Sequence, residues 1–471
     1  MTVPHVPPSQ QEEAKEKLEA FLRELFGEQA RRLARETGFV QRHSPIDGAV
    51  FARTLVFGFE STPDASYTDL QQMMAAQAVV VSPQAIEQRM NEAASRFLLR
   101  LVESLVTMAL LGEKGEWGTL SRFTGVSVQD GTRITLPDEL HHVWQGTGGR
   151  TGQGGEAGLR VQVRLELQAG ELQGPWLQHG REPERSGASS LEEHPLPVGS
   201  LYVTDTGYVT LQRIRQANQT DRFFLAPASV RAKIVDRQGI MWDLPALLAA
   251  RSRHGQQIID EPIQLGVQER VPCRLVAVPN PHPPSSQRQD QRARMKGSRH
   301  DVQVGRKKAP KGERGRKKHE LSQGRRHLTG WIVLFTNVPA EHLSPQQARE
   351  LLRARWQAEL LWKLWKQQGH LDVWRSEKPM RILCELYAKL LGLTIQHWFT
   401  IVGCWQDPHR SLVKAGRAVT KLAMSLVLTL DAPLDLSGVL TASQRLMQRC
   451  RLNPRVKHPN TSQHLVAVFF A

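Results

Sequence analysis

Cysteine is scarce in this chain of 471 residues, which contains only four of them. Cys273, Cys384, Cys404 and Cys450 lie too far apart in the sequence for the paired spacing of a zinc site. Four cysteines in so long a chain also exclude the dense disulfide framework of a small secreted protein. We therefore expect a protein of the reducing cytoplasm.

Long apolar segments are lacking as well. The N-terminal residues are rich in proline and lead into a charged stretch, without the apolar core of a secretory signal. The most apolar stretch, residues 386–405, contains Lys389, Gln396 and His397. Because a membrane span rarely carries such residues, this pattern favours a buried helix and predicts no contact with a membrane.

Acidic residues are outnumbered by basic ones. Asp and Glu total 46 against 62 Lys and Arg, which gives a net charge of +16 and a pI near 10.0. Residues 288–326 hold fifteen basic and four acidic residues, and so carry +11 of this charge. A cationic field of this kind attracts polyanions, and double-stranded DNA is the expected partner. The basic run would contact phosphates without reading base sequence; a merely solvated basic surface is the alternative.

The first part of the chain, residues 11–112, has helical periodicity. Ser82 is a suitable N-cap and Pro83 suits the first helical position. Two helices on either side of a short link could form a helix-turn-helix that presents Arg89 and Arg96 to DNA. A plain helical bundle is the alternative. Helices are predicted over residues 12–35, 67–75 and 83–110.

Extended segments follow this helical region. Residues 160–167 alternate strictly, which is typical of a half-buried strand. One strand is predicted to end at Asp130, because Asp-Gly is a turn signal, and another is predicted to end at Asp205. Strands are predicted over residues 125–130, 160–167, 200–205 and 328–336 and within 222–282, with a helix over 209–218.

Three charged residues share one stripe of a predicted helix over residues 351–366. Ser344 to Gln347 form a capping box that begins this helix. Arg355 and Glu359 are four residues apart, and Lys366 follows Glu359 by seven, so their side chains lie along one face. A carboxylate held between two cations can bind a metal ion while the cations bind phosphate.

Asp130, Asp205 and Glu359 are the candidate metal ligands. The ends of two strands and a neighbouring helix can converge even when the residues are far apart in the sequence. Three carboxylates with open positions suit Mg²⁺ or Mn²⁺, and two such ions can drive in-line displacement at a phosphodiester. Taken singly, each aspartate could be a turn or cap residue, and the helical charges could be surface ion pairs.

The ordered motifs resemble those of a known family. The spacing Arg355-x3-Glu359-x6-Lys366 is similar to the signature Tyr-x2-Arg-x3-Glu-x6-Lys of the DDE transposases of bacterial insertion sequences, in the family numbered four. The signature tyrosine is replaced by Leu352, which cannot donate a hydrogen bond to phosphate. The resemblance covers roughly residues 20–400. The segments that carry it besides the signature are residues 36–42, 130–137, 202–208 and 334–339.

The resemblance implies an α/β fold, in which a ribonuclease-H-like catalytic core is interrupted by a β-rich insertion. A helical N-terminal domain and a helical C-terminal region flank this core. The independent prediction of strands within 222–282 agrees with such an insertion. The expected parts are a DNA-binding domain over 1–115, the first part of the core over 116–221, the insertion with its basic loop over 222–327, the second part of the core over 328–400, and the C-terminal region over 401–471.

The activity that the resemblance implies is cut-and-paste transposition. The DNA is hydrolysed at the transposon ends, and the freed 3′-hydroxyl then attacks target DNA. Asp130, Asp205 and Glu359 would be catalytic ligands of Mg²⁺ or Mn²⁺, two ions in all, while Arg355 and Lys366 would contact DNA phosphate. The implied assembly is a homodimer in the synaptic complex, in the bacterial cytoplasm and on the nucleoid when bound to DNA.

Trp331 is a further candidate DNA contact. In the family an aromatic residue near the end of the insertion stacks on a flipped base, and Trp331 occupies a comparable position 28 residues before Glu359. A tryptophan in a predicted strand can equally pack in the core. The replacement by Leu352 leaves the metal ligands intact but removes one phosphate contact, so an inactive DNA-binding copy and a two-metal nuclease without strand transfer are the alternative functions.

Overall fold

The computed structural model describes residues 8–106, 118–147, 156–185, 187–253, 256–281, 328–405, 407, 409–431 and 436–452. The chain divides into two compact units, of which the first combines Met1–Val203 with Arg353–Ala471 and the second is Thr204–Leu352. The basic run over 288–326 lies outside the described residues. The predicted division into five parts is finer than these two units and stays a prediction.

The described elements alternate between helical and extended regions. The helices are α1 (Pro8–Glu24), α2 (Ala30–Glu36), α3 (Gly48–Ser61), α4 (Tyr67–Ala75), α5 (Pro83–Arg89), α6 (Glu92–Leu105), α7 (Leu211–Gln219), α8 (Leu244–Arg253), α9 (Pro345–Ala354), α10 (Trp356–Gln367), α11 (Pro379–Cys404), α12 (Leu412–Thr420), α13 (Ala423–Asp431) and α14 (Leu436–Met447). The strands are β1 (Val126–Leu136), β2 (Ala157–Glu166), β3 (Leu172–His179), β4 (Leu201–Val203), β5 (Phe223–Pro227), β6 (Lys233–Val235), β7 (Met241–Asp243), β8 (Ile259–Leu265), β9 (Val271–Pro279) and β10 (Trp331–Thr336).

The helical start of the first unit differs from the sequence prediction in two places. The single helix predicted over 12–35 is interrupted at Gly27, whose backbone is non-helical, with φ −110° and ψ −109°. Glycine adopts such a conformation at little cost. The helix predicted over 83–110 is divided as well, because Asn91 caps a new helix by accepting the N–H of Ala94 at 3.1 Å. Ser82 caps α5 with Pro83 in its first turn, as predicted.

Helix α3 was not among the predicted elements. Asp47 caps it by accepting the N–H of Val50 at 2.8 Å. Every residue from Gly48 to Glu60 is buried. A helix that is buried all round lacks the polar face that produces a helical period in the sequence, so pattern analysis does not detect it.

The first unit contains a small sheet with the strand order β3-β2-β1-β4. β1, β2 and β3 are antiparallel, whereas β4 runs parallel to β1. The predicted end of a strand at Asp130 is wrong: Asp130 lies in the middle of β1, opposite Val163 of β2. Pairing along all of β2 overrides the local turn signal. The neighbouring Gly131 allows close approach of Gln162, whose Cγ would lie 3.0 Å from a Cβ at position 131.

Helix α11 is the central helix of the first unit. All its residues from Arg381 to Val402 are buried, and it packs against α3, α6, α12 and α14. Its burial confirms the prediction of a buried helix in this stretch. In the part of the chain that the structure describes, no helix has both the length and the apolar character needed to cross a membrane.

The second unit is built on a sheet with the order β5-β10-β9-β8-β6-β7, in which all neighbouring strands are antiparallel. These strands confirm the predicted β-rich character of 222–282. Helix α8 was not predicted, and it contributes Leu244, Leu247 and Leu248 to the buried core of this unit. Helix α7 confirms the predicted helix over 209–218 and packs against β9.

The helix predicted over 351–366 is divided at Arg355, where α9 ends and α10 begins. Arg355 keeps helical angles, φ −53° and ψ −31°, but the N–H of Ala358 bonds to its carbonyl at 3.1 Å in a tighter three-residue step. The capping box before α9 is confirmed: the Ser344 N–H donates to Gln347 Oε1 at 3.0 Å, and the Gln347 N–H donates to Ser344 Oγ at 3.3 Å.

Candidate active site

The carboxyl group of Asp130 is half-buried. It lies on β1, one of the two middle strands of the sheet in the first unit. Its Oδ1 accepts the N–H of Gly131 at 2.9 Å. Burial raises the pKa of Asp130 to about 6, while the Gly131 hydrogen bond and the charge of Arg355 lower it and the charges of Glu359 and Glu184 raise it further. Arg355, Glu359 and Glu184 therefore all lie within electrostatic range of this carboxyl group.

Helix α10 supplies the second carboxylate of the same unit. It packs against β1, which brings Glu359 near Asp130 although more than two hundred residues separate them in the sequence. Arg355 Nη2 contacts Glu359 Oε1 at 2.6 Å across the four-residue step, which confirms that the two side chains share one helix face and is also the ion pair that the sequence left open as the alternative. The two side chains are 25% and 29% exposed, so the ion pair is open to solvent and to a ligand.

Lys366 lies on the same helix and also faces β1. Its Nζ donates to the carbonyl oxygen of Arg133 at 3.4 Å and forms an ion pair with Asp372 Oδ2 at 3.3 Å. Arg133 is three residues beyond Asp130 on β1. The structure thus places Glu359, Arg355 and Lys366 on a helix that packs against the strand carrying Asp130.

Asp205 belongs to the second unit. It is exposed and caps the short turn over Thr206–Tyr208, with Oδ1 accepting the Thr206 N–H at 2.8 Å and the Thr206 hydroxyl at 3.5 Å. Neither of these two hydrogen bonds involves Oδ2, the second carboxylate oxygen of Asp205. The predicted end of a strand at Asp205 is wrong by two residues, because β4 ends at Val203. Asp205 instead caps the turn that follows, which is the alternative that the sequence left open.

The donor chemistry of these side chains fits a hard divalent cation. Asp130 carries a carboxyl group close to two further negative charges, a repulsion that a cation with oxygen ligands would relieve. Among the described residues, no three His, Cys, Asp or Glu side chains form a group that could hold a metal ion by themselves. The assignment of Asp130, Asp205 and Glu359 as metal ligands therefore stays a prediction.

A buried polar network fixes the strand that carries Asp130, and sequence reasoning missed it. Gln129 Oε1 accepts hydrogen bonds from Arg164 Nε at 3.2 Å and from the Tyr202 hydroxyl at 3.1 Å. Gln129 Nε2 donates to the Ser189 carbonyl at 3.0 Å. The only signal in the sequence is the polar half of the alternating pattern in β2, which predicts a solvent face where the structure has buried partners.

The other predicted DNA contacts have the following surroundings. Arg89 Nη2 donates to Ser44 Oγ at 2.7 Å, and its guanidinium lies 5.6 Å from the centre of the Phe39 ring. Trp331 is partly buried and packs against the core of the second unit. Leu352 is half-buried near the end of α9. The roles of Arg89 and Trp331 in DNA binding stay predictions.

Comparisons with known proteins match most of the length of this chain. A transposase for insertion sequence element IS231F from Bacillus thuringiensis subsp. israelensis is 25% identical over 391 residues, which cover 81% of this chain and 79% of the relative. The transposase for IS231C from Bacillus thuringiensis subsp. berliner is 24% identical, over 77% of this chain and 75% of the relative. The transposase for IS1151 from Clostridium perfringens is 20% identical over 77% of this chain and 76% of the relative.

The chain also matches a protein family over more than half of its length. Residues 121–395, more than half of the chain, match the family described as transposase DDE domain. The matched region includes Asp130, Asp205 and Glu359, and the relatives above carry the name transposase. The chain belongs to the transposase DDE domain family.

Proposed function

We propose that this protein is a DNA transposase that moves an insertion sequence by cut-and-paste transposition. It would hydrolyse the phosphodiester at each transposon end and then join the freed 3′-hydroxyl to target DNA. The observation that carries the proposal is the convergence of Asp130 on β1 with Glu359 on α10, beside Arg355 and Lys366. Family membership makes phosphodiester chemistry the natural use of such a cluster.

The strand arrangement supports a ribonuclease-H-like core. In the first unit, β1, β2 and β3 form an antiparallel meander and β4 adds to β1 in parallel. The candidate carboxylates belong to the central strand, to the chain leaving the neighbouring strand, and to a helix packed on the sheet.

The register of β4 supports Asp205 as the third ligand. Val203 pairs with Val128 of β1 in the parallel register. Asp205 follows Val203 by two residues, as Asp130 follows Val128. Because two residues of chain span at most about 7 Å, covalent connectivity keeps Asp205 close to the end of β4.

Asp130, Asp205 and Glu359 are the residues that would hold Mg²⁺ or Mn²⁺. Two such ions, when bound, polarise the phosphodiester and activate the attacking water or 3′-hydroxyl. The protein contributes the positions of the ligands on a rigid strand and helix, and the Arg355 and Lys366 cations would bind the phosphate oxygens. The assembly that we propose is a homodimer holding two transposon ends, because both ends must be cut in one complex.

Cleavage of DNA that carries the element's own ends tests this proposal. Asp130→Ala, Asp205→Ala and Glu359→Ala should each abolish cutting in the presence of Mg²⁺ while leaving DNA binding intact. Asp138→Ala is the matched control, because Asp138 is an exposed aspartate just after the same strand. If all three variants cut DNA as the wild type does, the assignment of Asp130, Asp205 and Glu359 as the active site is wrong.

Leu352 favours a second candidate function. The family signature has a tyrosine at this position, and its absence removes a phosphate contact without touching the carboxylates. The chain could therefore be a DNA-binding protein derived from a transposase, or a nuclease that cuts without joining. Joining of cut ends to a target plasmid separates the first proposal from both, since neither alternative produces joined DNA.

A further inference from the structure

Three charged side chains form a buried stripe along α11 that the proposed chemistry does not use. Arg381, Glu385 and Lys389 are spaced four residues apart, and their side chains are 5%, 1% and 2% exposed. Lys389 Nζ bonds to Glu385 Oε1 at 2.8 Å, and Arg381 Nε lies 3.9 Å from Glu385 Oε2. Charges this deeply buried are costly to desolvate, so their contacts indicate what they do.

Lys389 binds the turn that follows helix α10. Its ammonium group has three N–H donors, and the structure gives each a partner. One donates to Glu385, one to the carbonyl of His370 at 3.2 Å, and one to the carbonyl of Val373 at 2.7 Å. Lys389 therefore holds both ends of the turn over residues 370–373.

This turn carries the ion-pair partner of Lys366. Asp372 lies within it and contacts Lys366 Nζ at 3.3 Å. The backbone of the turn is strained, because His370 has a φ of +46°, in the left-handed region that favours glycine. Such a conformation persists only where surrounding contacts determine it.

Packing alone does not hold the turn on the side of α11. A cavity of about 310 Å³ borders it, lined by Gly369, His370 and Lys389 together with Glu60 and Arg417. Beside such a cavity, the hydrogen bonds of Lys389 add to the burial of Leu371 and to its N–H bond to the Trp365 carbonyl in fixing the turn. Space for movement and a strained backbone make the position of Asp372 sensitive to these bonds.

The other end of the stripe contacts the N-terminal helices. Arg381 Nη2 donates to the carbonyl of Ala65 at 3.2 Å, and its guanidinium lies 3.9 Å from the centre of the Tyr67 ring. Ala65 and Tyr67 stand at the start of α4. One continuous row of charges thus joins the N-terminal helical region to the turn behind the candidate active-site helix.

We propose that Lys389 and its partner Glu385 are positioning residues, which fix the 370–373 turn and through Asp372 set the Lys366 ammonium beside β1. The inference rests on the proposed function, in which Lys366 contacts DNA phosphate. Burying a charged row is seldom more stabilising than burying apolar side chains of similar volume. Apolar side chains in the same place would pack equally well but would not hold Lys366 in position. The placement of Lys366 therefore explains why these charges are buried.

The test is a double-mutant cycle on DNA cleavage. Because Lys389→Met alone would remove the hydrogen-bonded partner of the buried Glu385, the variant combines Glu385→Gln with Lys389→Met. Arg381 keeps its bond to the Ala65 carbonyl and its contact with the Tyr67 ring. Single-turnover cutting of end-bearing DNA should slow by on the order of 10- to 100-fold, since small misplacement of a phosphate-binding group is costly. In a Lys366→Met background, the same pair of changes should cause no further slowing.

A second measurement does not depend on activity. Hydrogen exchange at the amides of Leu371 and Val373, which donate to Trp365 and His370, should become faster in the paired variant. Lys15→Met is the matched control, because Lys15 is another buried lysine of the same unit, with Glu12 and Thr441 as partners. That control should leave both the cleavage rate and these amides unchanged.

The outcomes separate the two proposals. If Asp130→Ala and Lys366→Met lose activity but the paired variant cuts normally, or slows the Lys366→Met protein further, the positioning role is rejected alone. Unchanged exchange at Leu371 and Val373 rejects it as well. If wild type and Asp130→Ala cut equally, the proposed function is rejected, and the positioning role with it.

Discussion

Two arginine–carboxylate pairs, one in each unit, show how similar residues serve different purposes. In the second unit, Arg274 contacts both oxygens of Asp260 at 2.6 and 2.7 Å and donates to the carbonyls of Val338 and Leu343. In the first unit, Arg355 contacts Glu359 through one nitrogen and one oxygen, in a more exposed setting near Asp130. The first pair is saturated by hydrogen bonds, whereas the second is open, as the proposed phosphate and metal site requires.

The saturated pair should give the largest effect on stability. Arg274→Met leaves the buried carbonyls of Val338 and Leu343, and the partly exposed Asp260, without their donor, so we expect a loss of about 2 to 4 kcal/mol in the second unit. The measurement is the urea midpoint followed by circular dichroism and limited proteolysis. Lys233→Met is the control, since its exposed pair with Asp243 should contribute less than about 1 kcal/mol. If Arg274→Met and Lys233→Met lower the stability equally, the number of hydrogen bonds is not what distinguishes the two ion pairs.

The open pair should give a large effect on activity and a small one on stability. Arg355→Met removes a cation from the candidate phosphate site, and cleavage should fall by about 10²- to 10³-fold. Its unfolding free energy should change by less than about 1 kcal/mol, because the pair is partly exposed. A stable Arg355→Met protein that cleaves DNA at the wild-type rate would show that Arg355 has no role in cleavage.

Glu60 extends the comparison to a carboxyl group bonded by neutral partners. It accepts hydrogen bonds from Gln396 Nε2 at 2.8 Å and Thr420 Oγ1 at 3.2 Å, and burial raises its pKa from 4.5 to about 7. Below pH 4.5 the group is neutral in the folded and unfolded chain alike. As the pH rises towards 7, only the unfolded chain ionises, so stability falls by an amount that approaches about 3 kcal/mol.

Glu60→Gln isolates this effect because glutamine stays neutral at every pH. The melting temperature of the variant, relative to wild type, should be higher at pH 8 than at pH 5. Thermal denaturation at the two pH values measures the difference. Glu87→Gln is the control, since Glu87 is a more exposed carboxylate paired with Lys378. The same difference between variant and wild type at both pH values would contradict the pKa of Glu60.

Replacement of the basic run over 288–326 tests whether charges outside the two arginine–carboxylate pairs contribute to DNA binding. Replacing it by a neutral linker of equal length removes a net charge of +11. DNA binding should weaken modestly, and the dependence of log Kd on log salt should flatten, because fewer counterions are released. Titrations at several salt concentrations measure the slope. A slope equal to that of the wild type would show that these charges do not contact DNA.

Local signals in the sequence predicted the elements that depend on neighbouring residues. The capping box at Ser344 and the N-cap at Ser82 each mark a helix start in the structure, because caps are formed by residues three apart. The alternation over 160–167 corresponds to β2. The pairing of Arg355 with Glu359 also follows from helical spacing alone.

Features that depend on distant partners were not predictable in this way. Asp130 continues a strand because β2 pairs with it, and the Asp-Gly signal carries no information about β2. Gln129 and Arg164 are buried because each satisfies the other. Lys389 was read only as an interruption of an apolar stretch, since nothing local shows that it binds a turn sixteen residues earlier.

The central claim is that Asp130, Asp205 and Glu359 share divalent ions on bound DNA. Binding of Mn²⁺ to the complex of the protein with its end DNA, measured by electron paramagnetic resonance, tests it most directly. The account predicts that Asp130→Ala, Asp205→Ala and Glu359→Ala each lose bound Mn²⁺ relative to wild type and to Asp138→Ala. An Asp205→Ala complex that binds Mn²⁺ with undiminished number and affinity would contradict it.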